Sequence, residues 1–111
     1  MFDEVIDSVC AGADGAVPGL PVVDTIKFID AAKVVKSTPD RNQLVAVQTP
    51  QAFRANVLRQ AHSNNPEGTD DSTLVETQGG KVVVVMGDPL NRKITTPEDL
   101  NWARVISRGE V

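Results

Sequence analysis

Four consecutive valines, Val82 to Val85, stand between the turn signals Gly79-Gly80 and Gly87. Branching at Cβ crowds a helix but packs well on a pleated strand. With no polar residue among them, such a run has no face to leave in water. Lys81 to Met86 therefore reads as a strand covered on both faces. The bias extends through the chain, in which Val occurs 17 times against 6 Leu and 5 Ile, favouring a buried sheet over a helical bundle. At 111 residues, 41% apolar and 23% charged, the chain supports one globular domain at most, and its composition excludes wholesale disorder, a collagen-like repeat and a disulfide scaffold.

The remaining elements follow from periodicity and punctuation. Phe2, Val5, Ile6 and Val9 fall on one helical face, and Gly12 can end that helix. After Gly15 an apolar run meets a Pro and Gly break. Val22 to Ile29 and Lys33 to Thr38 then read as two extended stretches that Asp30-Ala31-Ala32 turns into a hairpin arm. Leu44 to Gln48 is a further strand. Thr49 and Pro50 have the residue types of an N-cap and first helical position, so a helix is expected from there, burying Phe53, Val57 and Ala61. His62 to Gly68 reads as a polar loop. Asp70 or Asp71 caps a short helix through Glu76, and Thr96-Pro97-Glu98-Asp99 opens a last helix to about Ser107 that should bury Leu100, Ala103 and Ile106. The order implies an α/β sandwich with a largely parallel sheet.

Eleven basic against fifteen acidic side chains leave a formal charge of −4, with no basic stripe for a generic grip on nucleic acid. Any anion must be met by a few local cations. Cys10 is the single cysteine, which excludes an internal disulfide and a thiolate metal cluster within one chain. No apolar run is long enough for a membrane span, and MFDEVIDSV is acidic where a signal peptide would be basic. A soluble, cytoplasmic protein is the expectation.

Side chains for nucleophilic catalysis are scarce. His62 reads as a solvated residue at a helix end, Cys10 as a small buried or half-buried thiol, and Asp70-Asp71 as capping residues rather than metal ligands. The glycines lack the spacing of a phosphate-binding loop. What remains is a set of hydroxyls and cations at element ends: Thr25, Arg41, Thr49, Thr69 and Lys93. Each alone has a structural explanation as a cap, a turn or a solubilising charge.

Taken in order, PVVDTIK, TPDRNQLVAVQTPQAF, GTDDSTLVE and VVVVMGDPLNRKITTPEDL resemble the C-terminal half of the 2-C-methyl-D-erythritol 4-phosphate cytidylyltransferases of non-mevalonate isoprenoid biosynthesis. The likeness runs over almost the whole chain, and the related ribitol-5-phosphate cytidylyltransferases share the motifs. It implies half of a Rossmann-like nucleotidyltransferase sandwich with a projecting β-hairpin arm at about 22–44. The reaction it implies is attack of a polyol phosphate on the α-phosphorus of CTP, a transfer that needs cations and oriented donors more than a protein nucleophile.

By the same resemblance, Arg41 and Lys93 are the catalytic cations. Arg41 would hold the acceptor phosphate, Lys93 would position it for attack, and Thr25, Thr49 and Thr69 would line the acceptor site. The arm would interlock with that of a second subunit, so that Thr25 and Arg41 serve a homodimer partner's site and Lys93 its own. Mg2+ would be held mainly through CTP phosphates. The family's glycine-rich CTP loop and its DAAR segment have no counterpart in these residues. The expected alternatives are therefore a fragment inactive alone, or a non-catalytic dimerisation or binding remnant that exposes sheet edge and apolar helix faces.

Overall fold

The computed structural model of the chain describes residues 1–64, 70–91 and 93–109. The elements are α1 (Phe2–Cys10), β1 (Gly15–Pro21), β2 (Phe28–Ile29), β3 (Val35–Ser37), β4 (Val45–Val47), β5 (Ala52–Phe53), α2 (Ala55–Asn64), α3 (Asp71–Thr77), β6 (Val82–Met86) and α4 (Pro97–Ser107). This is the α/β class expected from the alternation of motifs.

β1 is the axis of the main sheet. Along one edge it pairs in parallel with β6, Gly15 opposite Val82 through Gly19 opposite Met86. Along the other it pairs antiparallel with β4 and, nearer its own start, with β5. The sheet is thus mixed and not largely parallel. Strand pairing also begins earlier than expected: the Pro and Gly of GAVPGLP lie within β1, whose buried residues include Ala16, Val17 and Pro18. Pro18, which has no N–H to give the ladder, sits where β4 gives way to β5 along that edge of β1, and its carbonyl accepts from Gln48 N–H at 2.8 Å.

Side chains alternate across a strand, so the two sheet faces can be assigned. Phe53 and Val82 share the face of Gly15 and pack against Ala61, Leu74 and Val75, the buried cluster between α2 and α3. Ala16, fully buried, points the other way. α1 packs against β1 and buries Val5, while Phe2 and Ile6 stay exposed. Gly12, at φ 124, takes the turn after α1 that a β-carbon would resist. Cys10 is exposed on α1, not buried or half-buried as expected, because it sits off the helix's inward stripe.

Three further expectations are corrected. Thr49-Pro50 does not open a helix: the peptide is cis, the chain continues into β5, and α2 starts only at Ala55. α2 then runs to Asn64, so His62 is helical; 65–68 of the expected loop lie outside the described residues. β6 is not covered on both faces, since Val84 and Met86 are 50% and 77% exposed and, among the described residues, only β1 pairs with it. α4 has its expected capping box, with Asp99 N–H donating to Thr96 and the Asp99 carboxylate accepting from Thr96 N–H, but its Leu100 is exposed and Ala103 and Ile106 are only half-buried. Local capping chemistry forms this helix although its apolar face has little to pack on.

β2 and β3 make a separate exposed hairpin. Asp30 shapes its turn, its carboxylate accepting from Ala32 and Val34 N–H at 2.9 and 3.0 Å, with Lys36 Nζ 3.4 Å away. The Val34 N–H first, then Lys36 and Ala32, hold this carboxyl below the usual aspartate range. These contacts also hold Lys33 at φ 63, a left-handed conformation that costs a β-carbon-bearing residue about 1 kcal/mol.

Candidate functional site

The main sheet has one interruption, and the cleft forms there. β4 and β5 follow each other along the same edge of β1, Val47 opposite Gly19 and Ala52 opposite Ala16. Gln48 to Gln51 therefore span a stretch where β1 has only Val17 and Pro18, and the excess chain leaves the sheet. On the other side of β1, the loop after β6 begins at Gly87, whose N–H donates to the Gly19 carbonyl at 3.0 Å. Between these segments lies a cleft of about 510 Å³ lined by Val47, Gln48, Thr49, Gln51, Asp70, Asn91 and Lys93. It opens beyond the carboxyl end of β6, the position at which open α/β sheets hold ligands.

The cleft is braced by two amide side chains. Gln48 Nε2 donates to the Asp88 and Asn91 carbonyls at 2.8 and 2.6 Å, while its Oε1 accepts from Asp88 N–H at 3.0 Å. Asn91 Nδ2 returns the connection by donating to the Thr49 carbonyl. Within the loop, Asp88 accepts from Leu90 N–H through its carboxylate and from Asn91 N–H through its carbonyl, both at 2.9 Å. Gly87 is required by close approach: a β-carbon there would overlap Gln48 Oε1 and stand 3.1 Å from the Gly19 carbonyl. None of these bracing roles was singled out in the sequence. The only signal for Gln48 and Asn91 is that they flank Thr49 and Lys93 in QTP and NRK.

Of the expected site residues, Thr49 and Lys93 meet in the cleft. Lys93 is exposed and, among the described residues, forms no ion pair. Asp70 adds a carboxylate to the lining while its Oδ1 caps α3 through Thr73 N–H at 2.8 Å, as its capping reading expects. Thr69 lies outside the described residues. Thr25 and Arg41 do not line the cleft. Thr25 is exposed ahead of β2, and Arg41 starts a 3-10 turn, Arg41–Gln43, at the foot of the hairpin, where its guanidinium donates to the Val23 carbonyl at 2.7 Å. His62 is exposed and its Nε2 is 2.8 Å from Asp71 Oδ1, a surface pair next in sequence to Asp70 but not itself part of the cleft lining.

The described residues offer no grouping of three His, Cys, Asp or Glu side chains able to hold a metal ion, so they do not fit a protein-held Mg2+. Among the described residues there is also no helix long and apolar enough to cross a membrane. An ammonium, a hydroxyl and backbone-braced amides suit the orientation of a small phosphorylated ligand better than bond-breaking by a protein nucleophile.

Residues 1–108 match the family IspD, 2-C-methyl-D-erythritol 4-phosphate cytidylyltransferase. The chain belongs to this family. Relatives of that description include one from Nocardia farcinica, 50% identical over 106 residues, and one from Rubrobacter xylanophilus, 48% identical over 110. Each match covers 96% of this chain but 46% and 47% of the relative, so the chain spans about half the length of these curated proteins.

The solved 4-diphosphocytidyl-2C-methyl-D-erythritol synthase from Anaerococcus prevotii superposes with a TM-score of 0.86 at 32% identity, covering 96% of this chain and 51% of that one. The 2-C-methyl-D-erythritol 4-phosphate cytidylyltransferase from Thermus thermophilus gives 0.74 at 34% identity, over 91% and 52%. The nucleotidyltransferase character of the α/β fold rests on these neighbours.

Proposed function

We propose that these residues are the acceptor-binding, C-terminal half of a CTP-dependent cytidylyltransferase acting on 2-C-methyl-D-erythritol 4-phosphate in isoprenoid precursor biosynthesis. In the complete reaction an acceptor phosphate oxygen bonds to the α-phosphorus of CTP, and the bond to the β-phosphate breaks with its electron pair on departing pyrophosphate. Lys93 neutralises and aims the acceptor phosphate as a point charge, and the Thr49 hydroxyl orients it. Thr69 belongs to the same lining. Thr25 and Arg41, on the hairpin side, serve the site of a homodimer partner. The nucleotide-binding half, with the Mg2+ that accompanies CTP, is supplied by residues outside these 111. The cytoplasm is the proposed location.

One observation carries this reading: Thr49 and Lys93, taken from two separate motifs, line a single cleft in a chain that matches the family over residues 1–108. Titrating the isotope-labelled chain with 2-C-methyl-D-erythritol 4-phosphate, ribitol 5-phosphate and CTP tests it. The first should shift the amides of Thr49, Asn91 and Lys93, the second should do so more weakly, and CTP should leave them in place. Stronger shifts with ribitol 5-phosphate would reassign the acceptor, and none with either polyol phosphate would refute the reading. For the shared site, Arg41→Ala and Lys93→Ala subunits of a complete enzyme should regain activity when mixed.

A further inference from the structure

We propose that Gln48 is a positioning residue for Lys93, holding the Lys93 loop at one distance from the Thr49 wall; this rests on the acceptor-site reading above. Thr49 and Lys93 lie on segments that are far apart in sequence, and neither is in regular secondary structure. Gln48 closes that gap with three hydrogen bonds: two donated by Nε2 to the Asp88 and Asn91 carbonyls, one accepted by Oε1 from Asp88 N–H.

The amide orientation is dictated by its partners, since a flipped amide would set an oxygen against two carbonyl oxygens. Its own backbone is fixed independently, Gln48 N–H donating to the Pro18 carbonyl in the sheet's central strand. The side chain thus transfers the rigidity of β1 to the loop. Asn91 reinforces this from the opposite wall through the Thr49 carbonyl. Gly87 leaves the space that the Gln48 amide occupies. A long, flexible lysine delivers its charge to one place only if its backbone is held, because each uncertain ångström weakens both orientation and attraction.

The test is a double-mutant cycle on the 111-residue chain, titrated calorimetrically with 2-C-methyl-D-erythritol 4-phosphate. Gln48→Met keeps the side chain's length and removes its hydrogen bonds. It should weaken binding about tenfold, and less than about twofold when Lys93→Ala is already present. A merely structural loss would weaken binding equally in both backgrounds, and that result, or unchanged binding, would overturn the proposal. A ligand-free arm separates failures: Gln48→Met should speed hydrogen exchange at the Asp88 amide about tenfold. Unchanged exchange overturns the clamp itself. Faster exchange in a chain whose parent binds no acceptor retains the clamp, overturns its role toward this ligand and refutes the acceptor-site reading.

Discussion

Replacing Gly87 with alanine should destabilise the chain through the Gln48 amide and not through the local backbone. Gly87 does not occupy the left-handed region, so alanine is conformationally allowed there, and in open space it would stabilise by about 0.4–1 kcal/mol by restricting the unfolded chain. The space is not open. The new β-carbon would overlap Gln48 Oε1 and come within 3.2 Å of its Cδ. Gln48 must then swing out, forfeiting three hydrogen bonds, each with a net worth of about 0.5–1.5 kcal/mol.

Two of the three bonds are exposed and water can replace them, so the lower end of that range applies and the loss is about 2 kcal/mol. After the entropic offset, about 1–2 kcal/mol of destabilisation remains. In urea this lowers the midpoint by about 0.5–2 M, given a slope of about 1–2 kcal/mol per molar. In a Gln48→Ala background the same change should cost almost nothing, because the Gly19 carbonyl at 3.1 Å needs to give by only a few tenths of an ångström. Equal or greater stability for Gly87→Ala, with the Gln48 side-chain amide resonances unmoved, would refute this account.

Three other outcomes are expected. Val75→Ala opens a cavity at a fully buried position between α2 and α3 and should cost about 1.5–3 kcal/mol by the same urea measurement. Because Asp30 titrates below its unfolded value, its contribution to the hairpin is fully present above about pH 4 and is lost as pH falls through its depressed folded pKa. The Ala32 and Val34 amide resonances should follow that loss, and in Asp30→Asn the dependence should vanish. Met86→Lys, on the sheet face where Val84 of β6 and Val45 and Val47 of β4 are also exposed, should reduce concentration-dependent association in sedimentation velocity; no change would show that this patch does not mediate it.

Where local chemistry decides structure, the sequence was legible. The Thr96 to Asp99 capping box, the Asp70 cap of α3 and the Asp30 turn each involve partners within four residues of one another, and all three form. Thr49-Pro50 misleads because Thr before Pro suits a helix start and an extended turn alike. A residue preceding proline is also biased toward extended backbone, and here the β1 edge selects that alternative. The burial expected of Leu100 fails because periodicity reports which face is apolar and not whether anything covers it. The Gln48 brace was invisible because its partners lie 40 and 43 residues away and leave no periodic trace.

The excursion between β4 and β5 also separates the cleft wall from the core. The register with β1 shifts by two residues across it, from Val47 opposite Gly19 to Phe53 opposite Gly15. The side on which Phe53 lies is set by its own pairing with Gly15, so it faces the α2–α3 cluster whatever path the chain takes to reach it. Residues lost or gained between Gln48 and Gln51 would be absorbed in the excursion, as the extra residue of a β-bulge is. The cleft wall can therefore be reshaped while the aromatic floor of the cluster stays in place.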